Sequence, residues 1–450
     1  MNRARFLVVV RVLAVLVLAG GAAAGGYAVT RSARKEPRPS TPAPPAAYRR
    51  LTAAPPALAA GRAAPVPSSA AVSAALAPLL RAAALGRVRG EVLDVRSGRV
   101  LFARTATSTA PPASTAKLLT AAAVLAVRRV TDRISTTVVA GAHGAVVLVG
   151  AGDPTLSGAK AGAATAYPDA ARLSDIAAQL RRAGIRPTRI VVDDGLFTGP
   201  AVNPAWAAVD VPSSYASAIT AVLADGGRAA PDDAERSAEP DLAAGHELAA
   251  ALGRPGLPVS RGHAATGARV LARVASAPYG ELVEQMLQQS DNVIAECLAR
   301  QVALARRQPA SFSGAVLAIR AVLRTVGIDA GTGMVDGSGL AARDRLSPAT
   351  LTAVVRLAAT RPGERFLLDA LPVAGWSGTL ADRYLRGAVR TGAGVVRAKT
   401  GTLTGVATLA GTVHARSGRL LAFAFMSQSA APTPSAEAAL DRLTAALARL

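Results

Sequence analysis

Strand-forming runs at the two ends of this chain, with a different pattern between them, constrain its fold more than any other feature. Near the start, residues 88–95 and 99–104 flank a Ser97-Gly98 turn and predict a β-hairpin. Pro111-Pro112-Ala113-Ser114 then leads into an apolar run ending near Val127, which predicts a buried helix beginning near Ser114. Near the end, residues 395–400, 405–414 and 419–429 read as three strands joined by short turns, and an Ala-rich helix follows from about Pro434 to Leu450. Strands so far apart can share a sheet only if the chain between them folds aside. The expectation is therefore one α+β domain built from residues 71–130 and 271–450, split by an inserted α/β domain at 131–270. The insertion has strand and helix signals of its own, in residues 145–156, 173–184 and 188–194. Its segment Gly226 to Pro240 is polar and turn-rich and reads as an exposed loop.

The first 70 residues belong to neither domain. Residues 1–30 carry Arg3, Arg5 and Arg11, then an apolar run and a group of small residues, the pattern of an export signal. The stretch can be a cleaved signal peptide or a retained single membrane anchor, and Arg11 counts against the anchor, because a charge within a span is costly unless it snorkels to the interface. Residues 31–70 are rich in Pro and Ala and read as an extended linker that would hold the folded part away from a membrane. Both readings point to export to the extracytoplasmic side of a membrane, with membrane contact only through the N-terminal segment.

A net charge of +22 would ordinarily raise nucleic acid as a partner, but the arginines are scattered and no aromatic-rich basic stretch accompanies them. No nucleic-acid partner is expected. The single cysteine, Cys297, excludes an intrachain disulfide, and the four histidines lie too far apart for ligand spacing, so neither a metal nor any other cofactor is expected. Lysine is the informative residue. Only four occur beside 47 arginines: Lys35, Lys117, Lys160 and Lys399. Arginine cannot be deprotonated in a protein, whereas a desolvated lysine can serve as a base, so each lysine is a candidate for chemistry.

Two of the four sit in short motifs. Ser114-Thr115-Ala116-Lys117 places a hydroxyl and an amine three residues apart, on one face of a helix. Ser290-Asp291-Asn292 lies between two helical runs, and Lys399-Thr400-Gly401-Thr402 ends a strand. Each alone reads equally as an N-cap, a turn or an edge strand. Their order, S-x-x-K then S-x-N then K-T-G, is the combination found in class A β-lactamases and penicillin-binding proteins, where the serine is the nucleophile. In that chemistry Ser114 attacks a carbonyl, Lys117 as free amine takes its proton, and Ser290 relays the proton to the leaving amine. Asn292 bonds the substrate amide or holds Lys117. Lys399, with Thr400, Gly401 and Thr402, suits a terminal carboxylate, and the backbone N–H groups of Ser114 and Thr402 would form the oxyanion hole.

The sequence resembles the low-molecular-mass class C penicillin-binding proteins, the D-alanyl-D-alanine carboxypeptidase/endopeptidase family, over about residues 75–450. Further landmarks carry the likeness: Gly152 to Leu156, Asp193-Asp194, Ala295-Glu296, Asp336 to Leu340 and Leu346-Ser347-Pro348. The resemblance implies a penicillin-recognising transpeptidase-like domain with a five-stranded antiparallel sheet flanked by helices. It implies cleavage of D-Ala-D-Ala or D-Ala-diaminopimelate bonds of peptidoglycan stem peptides, with β-lactams acylating Ser114. It leaves room for no nested domain beyond the Gly226 to Pro240 loop. The sequence assigns the turn Asp336 to Leu340 no chemical step. Two other readings stay open: a β-lactamase or esterase of the same superfamily, against which no E-x-x-L-N motif occurs, and a catalytically silent wall-binding scaffold.

Overall fold

The computed structural model describes residues 64–230 and 233–450. The expected export signal and most of the linker lie outside the described residues. What remains of the linker ends where helix α1 (Ser69–Leu76) begins, with the Ser68 hydroxyl accepting from the Ala71 N–H as its N-cap.

The strands from the two ends of the chain do share one sheet. Strands β1 (Arg87–Asp94) and β2 (Val100–Arg104) form the expected hairpin. After helix α2 (Lys117–Val127) the chain enters a second sheet, made of β3 (Arg133–Ala140), β4 (Val146–Val149), β5 (Ile190–Asp193), β6 (Val259–Arg261) and β7 (Val270–Pro278). In that sheet β3 pairs antiparallel with β4 and β7, while β4, β5 and β6 run parallel. Helix α3 (Leu173–Arg182) supplies the crossover from β4 to β5, and α4 (Pro240–Ala251) that from β5 to β6, as parallel pairing requires. Leu148, Val192, Ile176, Leu180 and Leu248 fill the core between them.

The chain then returns through helices α5 (Tyr279–Gln288), α6 (Asn292–Ala305), α7 (Phe312–Thr325), α8 (Pro348–Thr360) and the short α9 (Phe366–Asp369). Local sequence starts several of them: Asp291, Ser311 and Ser347 each cap a helix with a side-chain oxygen, and Pro348 occupies the first turn of α8. Three strands and a helix complete the fold, β8 (Val396–Leu403), β9 (Val406–His414), β10 (Leu420–Gln428) and α10 (Thr433–Ala448). The first sheet has the order β2-β1-β10-β9-β8 and is antiparallel throughout.

Strand β10 shows why this sheet is covered on both faces. Phe423 and Phe425 point to the side of α1 and α10, while Ala422, Ala424 and Met426 point to the helices that surround α2. The alanines let helices approach closely, and the phenylalanines fill the opposite layer, their rings 5.9 Å apart. Both phenylalanines are fully buried. Phe423→Ala is expected to cost about 3–5 kcal/mol in denaturant unfolding, the range for emptying an aromatic site in a packed core. A loss below about 1 kcal/mol would show that the layer collapses around the gap.

Helix α2 runs through the middle of the helical layer, and its apolar residues face neighbours on every side. Lys117, the one charged residue in it, stands at its N-terminus and is fully buried.

The segment Gly226 to Pro240 is only in part the exposed loop that its composition predicts: residues 229–230, 233–235 and 238–239 are exposed. Gly226, Gly227, Arg236 and Pro240 are buried, and an antiparallel bridge joins Arg228 to Arg236. Composition misled at Arg236 because it counts arginine as a surface residue, and here the guanidinium is turned inward onto the Asp291 carboxylate.

Candidate functional site

Four structural elements meet around Ser114. A single 3₁₀ turn, Ala113–Ala116, precedes α2 and presents the Ser114 hydroxyl at the helix N-terminus. One helical turn on, the Lys117 Nζ lies 2.9 Å from Ser114 Oγ. The same nitrogen contacts Asn292 Oδ1 at 2.6 Å and the Ser338 carbonyl at 2.8 Å. The last two are pure acceptors, since the Asn292 amide Nδ2 is turned to the Tyr215 carbonyl at 3.1 Å. As an ammonium Lys117 donates to all three oxygens; as a neutral amine its two N–H groups can serve these two acceptors, which leaves the lone pair for the serine hydroxyl.

The second lysine faces the second serine. Lys399 Nζ on β8 donates to Ser290 Oγ at 2.9 Å and to the Thr400 carbonyl at 2.8 Å. Ser290 adopts a left-handed backbone conformation, φ 58°, uncommon for a residue with a side chain. Thr400 and Thr402 both line the cavity in front of Ser114, yet each hydroxyl already has a partner, Thr379 Oγ1 for the first and Glu437 Oε1 for the second, both at 2.8 Å. Gly401 is where β8 passes closest to the nucleophile turn: a Cβ there would stand 2.9 Å from the Ser114 nitrogen and 2.2 Å from Thr408 Oγ1. No larger residue fits without moving the strand.

All eight residues singled out from sequence, Ser114, Lys117, Ser290, Asn292, Lys399, Thr400, Gly401 and Thr402, are therefore brought together. They border or lie beneath a cavity of about 760 Å³, which Tyr215, Arg228, Arg236, Leu340 and Thr379 also line. Burial pushes the Lys117 ammonium down to about 8, partly offset by the negative charges of Asp336, Asp291, Glu296 and Asp344. Burial likewise pushes Lys399 well below the usual lysine range, and the nearby Lys117 adds to the effect. Among the described residues no group of three His, Cys, Asp or Glu side chains is placed to hold a metal ion.

Several supporting residues escaped the sequence reading. The turn Asp336 to Leu340 is the seat of Lys117, through the Ser338 carbonyl. Its own shape is imposed by the buried Asp336 carboxylate, which accepts the N–H groups of Ser338, Gly339 and Ala341 and the indole N–H of Trp206. Glu296 on α6 holds the Gly337 N–H from behind. These roles run through backbone groups, so no side-chain motif announces them. The family landmarks at Glu296 and Asp336 were the only available signal. Arg228 and Arg236, at the edge of the cavity, carried none.

The chain matches the model of the D-Ala-D-Ala carboxypeptidase 3 (S13) family over residues 72–236 and 232–447. The chain belongs to this peptidase family. A carboxypeptidase of Mycobacterium tuberculosis is 47% identical over 369 residues, covering 80% of each chain. Carboxypeptidase DacB of Mycolicibacterium smegmatis is 44% identical over 441 residues, covering 96% of this chain and 94% of the relative. Penicillin-binding protein 4 of Haemophilus influenzae shares the fold, with TM-score 0.68 at 22% identity over 83% of this chain and 97% of that one. A second structure of it, complexed with a β-lactam, superposes with TM-score 0.60. The five-stranded antiparallel sheet and the surrounding helices are the architecture the resemblance implied. An S13 peptidase of this kind is a D-Ala-D-Ala carboxypeptidase.

Proposed function

We propose that this peptidase cleaves D-Ala-D-Ala, and D-Ala-diaminopimelate cross-links, in peptidoglycan stems through an acyl-enzyme on Ser114. The observation that carries the reading is the Lys117 amine, fully buried and 2.9 Å from Ser114 Oγ with its other two contacts to acceptors. Ser114 Oγ bonds to the carbonyl carbon of the penultimate D-Ala while its proton passes to Lys117 Nζ. The oxyanion lies against the backbone N–H groups of Ser114 and Thr402. As the tetrahedral intermediate collapses, the C–N bond breaks and the proton returns from Lys117 by way of Ser290 to the leaving amine. Water then attacks the ester carbonyl while Lys117 takes its proton; the bond from the acyl carbon to Ser114 Oγ breaks, Lys117 returns the proton to that oxygen, and the shortened stem leaves as a carboxylic acid.

Lys399 keeps Ser290 in place, and the Thr400 and Thr402 hydroxyls become donors to the carboxylate of the leaving residue by exchanging Thr379 and Glu437 for it. A β-lactam presents a strained amide and a carboxylate in the same relation, so it enters the first half of this cycle. The β-lactam complex of the Haemophilus relative supports that extension. We also place the enzyme on the extracytoplasmic face of the envelope, because its substrate is there and because residues 1–30 have the composition of an export signal or anchor.

The test is product analysis. The full chain is incubated with a pentapeptide stem and with a cross-linked dimer, and free D-Ala and lost dimer are quantified by mass spectrometry. Release of D-Ala that stops after benzylpenicillin treatment is the expected result. A folded sample that releases none would move the assignment to a wall-binding scaffold.

A further inference from the structure

Asp291 lies between the two site residues Ser290 and Asn292, and its carboxylate touches neither site lysine. One oxygen accepts the Ile294 N–H and caps α6 at 3.0 Å. The other accepts from Arg236 Nη2 at 2.8 Å and from the Tyr167 hydroxyl at 2.8 Å. Arg228 donates to the same hydroxyl at 2.6 Å, and its second guanidinium nitrogen stands 3.7 Å from the carboxylate. Arg236 itself is anchored by the Gly226 carbonyl at 2.7 Å, and its side chain is only 3% exposed. Both arginines come from the Gly226 to Pro240 segment of the inserted sheet's connection.

The electrostatic setting makes this arrangement consequential. Lys117 is faced by Asp336 and Asp344 beside the turn under it, by Asp291 and Glu296 from α6, and by Lys399 from β8. Arg236 and Arg228 are faced by Asp291 and Tyr167, with Asp225 also near Arg228. A buried carboxylate with no cation of its own would interact with the site lysines and hold them protonated, the state in which Lys117 cannot take a proton. From these contacts we infer that Arg236 is a positioning residue that neutralises Asp291, so that Asp291 shapes the Ser290 turn without keeping the catalytic lysine charged.

The carboxylate is then free for structural work. It caps α6, which begins with Asn292, and holds the chain just after Ser290, whose left-handed backbone needs such restraint. A pair of opposite charges set side by side projects a much weaker field on Lys117 than Asp291 alone would.

This inference rests on Lys117 acting as the base, and the experiment separates the two. Benzylpenicillin acylation rates are measured from pH 6 to 10 for the full chain, Arg236→Gln, Arg236→Lys and the double variant Arg236→Gln/Asp291→Asn. Arg236→Gln is expected to move the midpoint of the pH profile up by about half to one unit, which lowers the rate at pH 7 about three- to tenfold at equal folded fraction. Arg236→Lys restores the charge and should bring the midpoint back towards wild type. The double variant removes both charges and should also return the midpoint, even where its maximal rate stays low. A lower rate with an unmoved midpoint in Arg236→Gln would overturn the inference and leave Arg236 a purely structural residue. A wild-type profile with no ionisation attributable to Lys117 would instead overturn the lysine-base reading.

Discussion

Ser114→Ala is expected to abolish the benzylpenicillin adduct and to lower D-Ala release by at least about 10⁴-fold, the scale of losing a nucleophile outright. The change should leave the fold intact. Ser114 sits in a 3₁₀ turn, and its hydroxyl contributes one hydrogen bond, to Lys117. Nothing else can stand in for it: Ser290 is occupied by Lys399, and Cys297 is buried, with burial pushing its thiol far from the reactive thiolate. Intact-protein mass after incubation with benzylpenicillin checks this directly. One adduct on the wild-type chain, none on the variant and slow loss of the wild-type adduct is the outcome for a peptidase. Rapid loss would favour a β-lactamase, and an adduct on the variant would remove Ser114 from its role.

The second large effect is at Lys117. Lys117→Arg is expected to lower the acylation rate by about 10³-fold or more at every pH, because arginine cannot give up its proton to become a base. Lys117 is fully buried, so the longer guanidinium also has to displace neighbours. Lys117→Met avoids both the fixed charge and most of the overpacking, and it should show a similar loss. The wild-type profile adds a sign. With Lys117 held down to about 8, the free amine is the minor form below that pH and the major form above it. Acylation should therefore rise with pH to a plateau above about 9, and at pH 7 run roughly tenfold below it. Stopped-flow acylation across that range measures it. A rate that falls through the same window would mean that the ammonium, not the amine, is the reactive form.

Residue types and local patterning carried a large part of the fold. The apolar run at 420–426, turn residues at Ser97-Gly98 and the apolar run after Ser114 act over a few positions, and the elements found there match their expected places. Lysine scarcity helped for two of the four: Lys117 and Lys399 stand in the site, while Lys160 is an exposed surface residue and Lys35 lies outside the described residues. Within the Gly226 to Pro240 segment the same method failed at Arg236, which is buried, and held for the exposed residues around it. Polar composition describes the average fate of such residues, while a buried partner at Asp291 decided that of Arg236.

The sequence by itself determined which chemical groups this protein owns, the order in which they occur and the local elements that carry them. Only the tertiary structure decided which of those groups meet. Lys117 reaches Asn292 across 175 residues and the Ser338 carbonyl across 221, and Lys399 reaches Ser290 across 109. Contacts at such separations depend on how the two sheets and the helical layer pack. The lowered pKa of Lys117 arises there as well, because desolvation belongs to the assembled interior and to no stretch of chain.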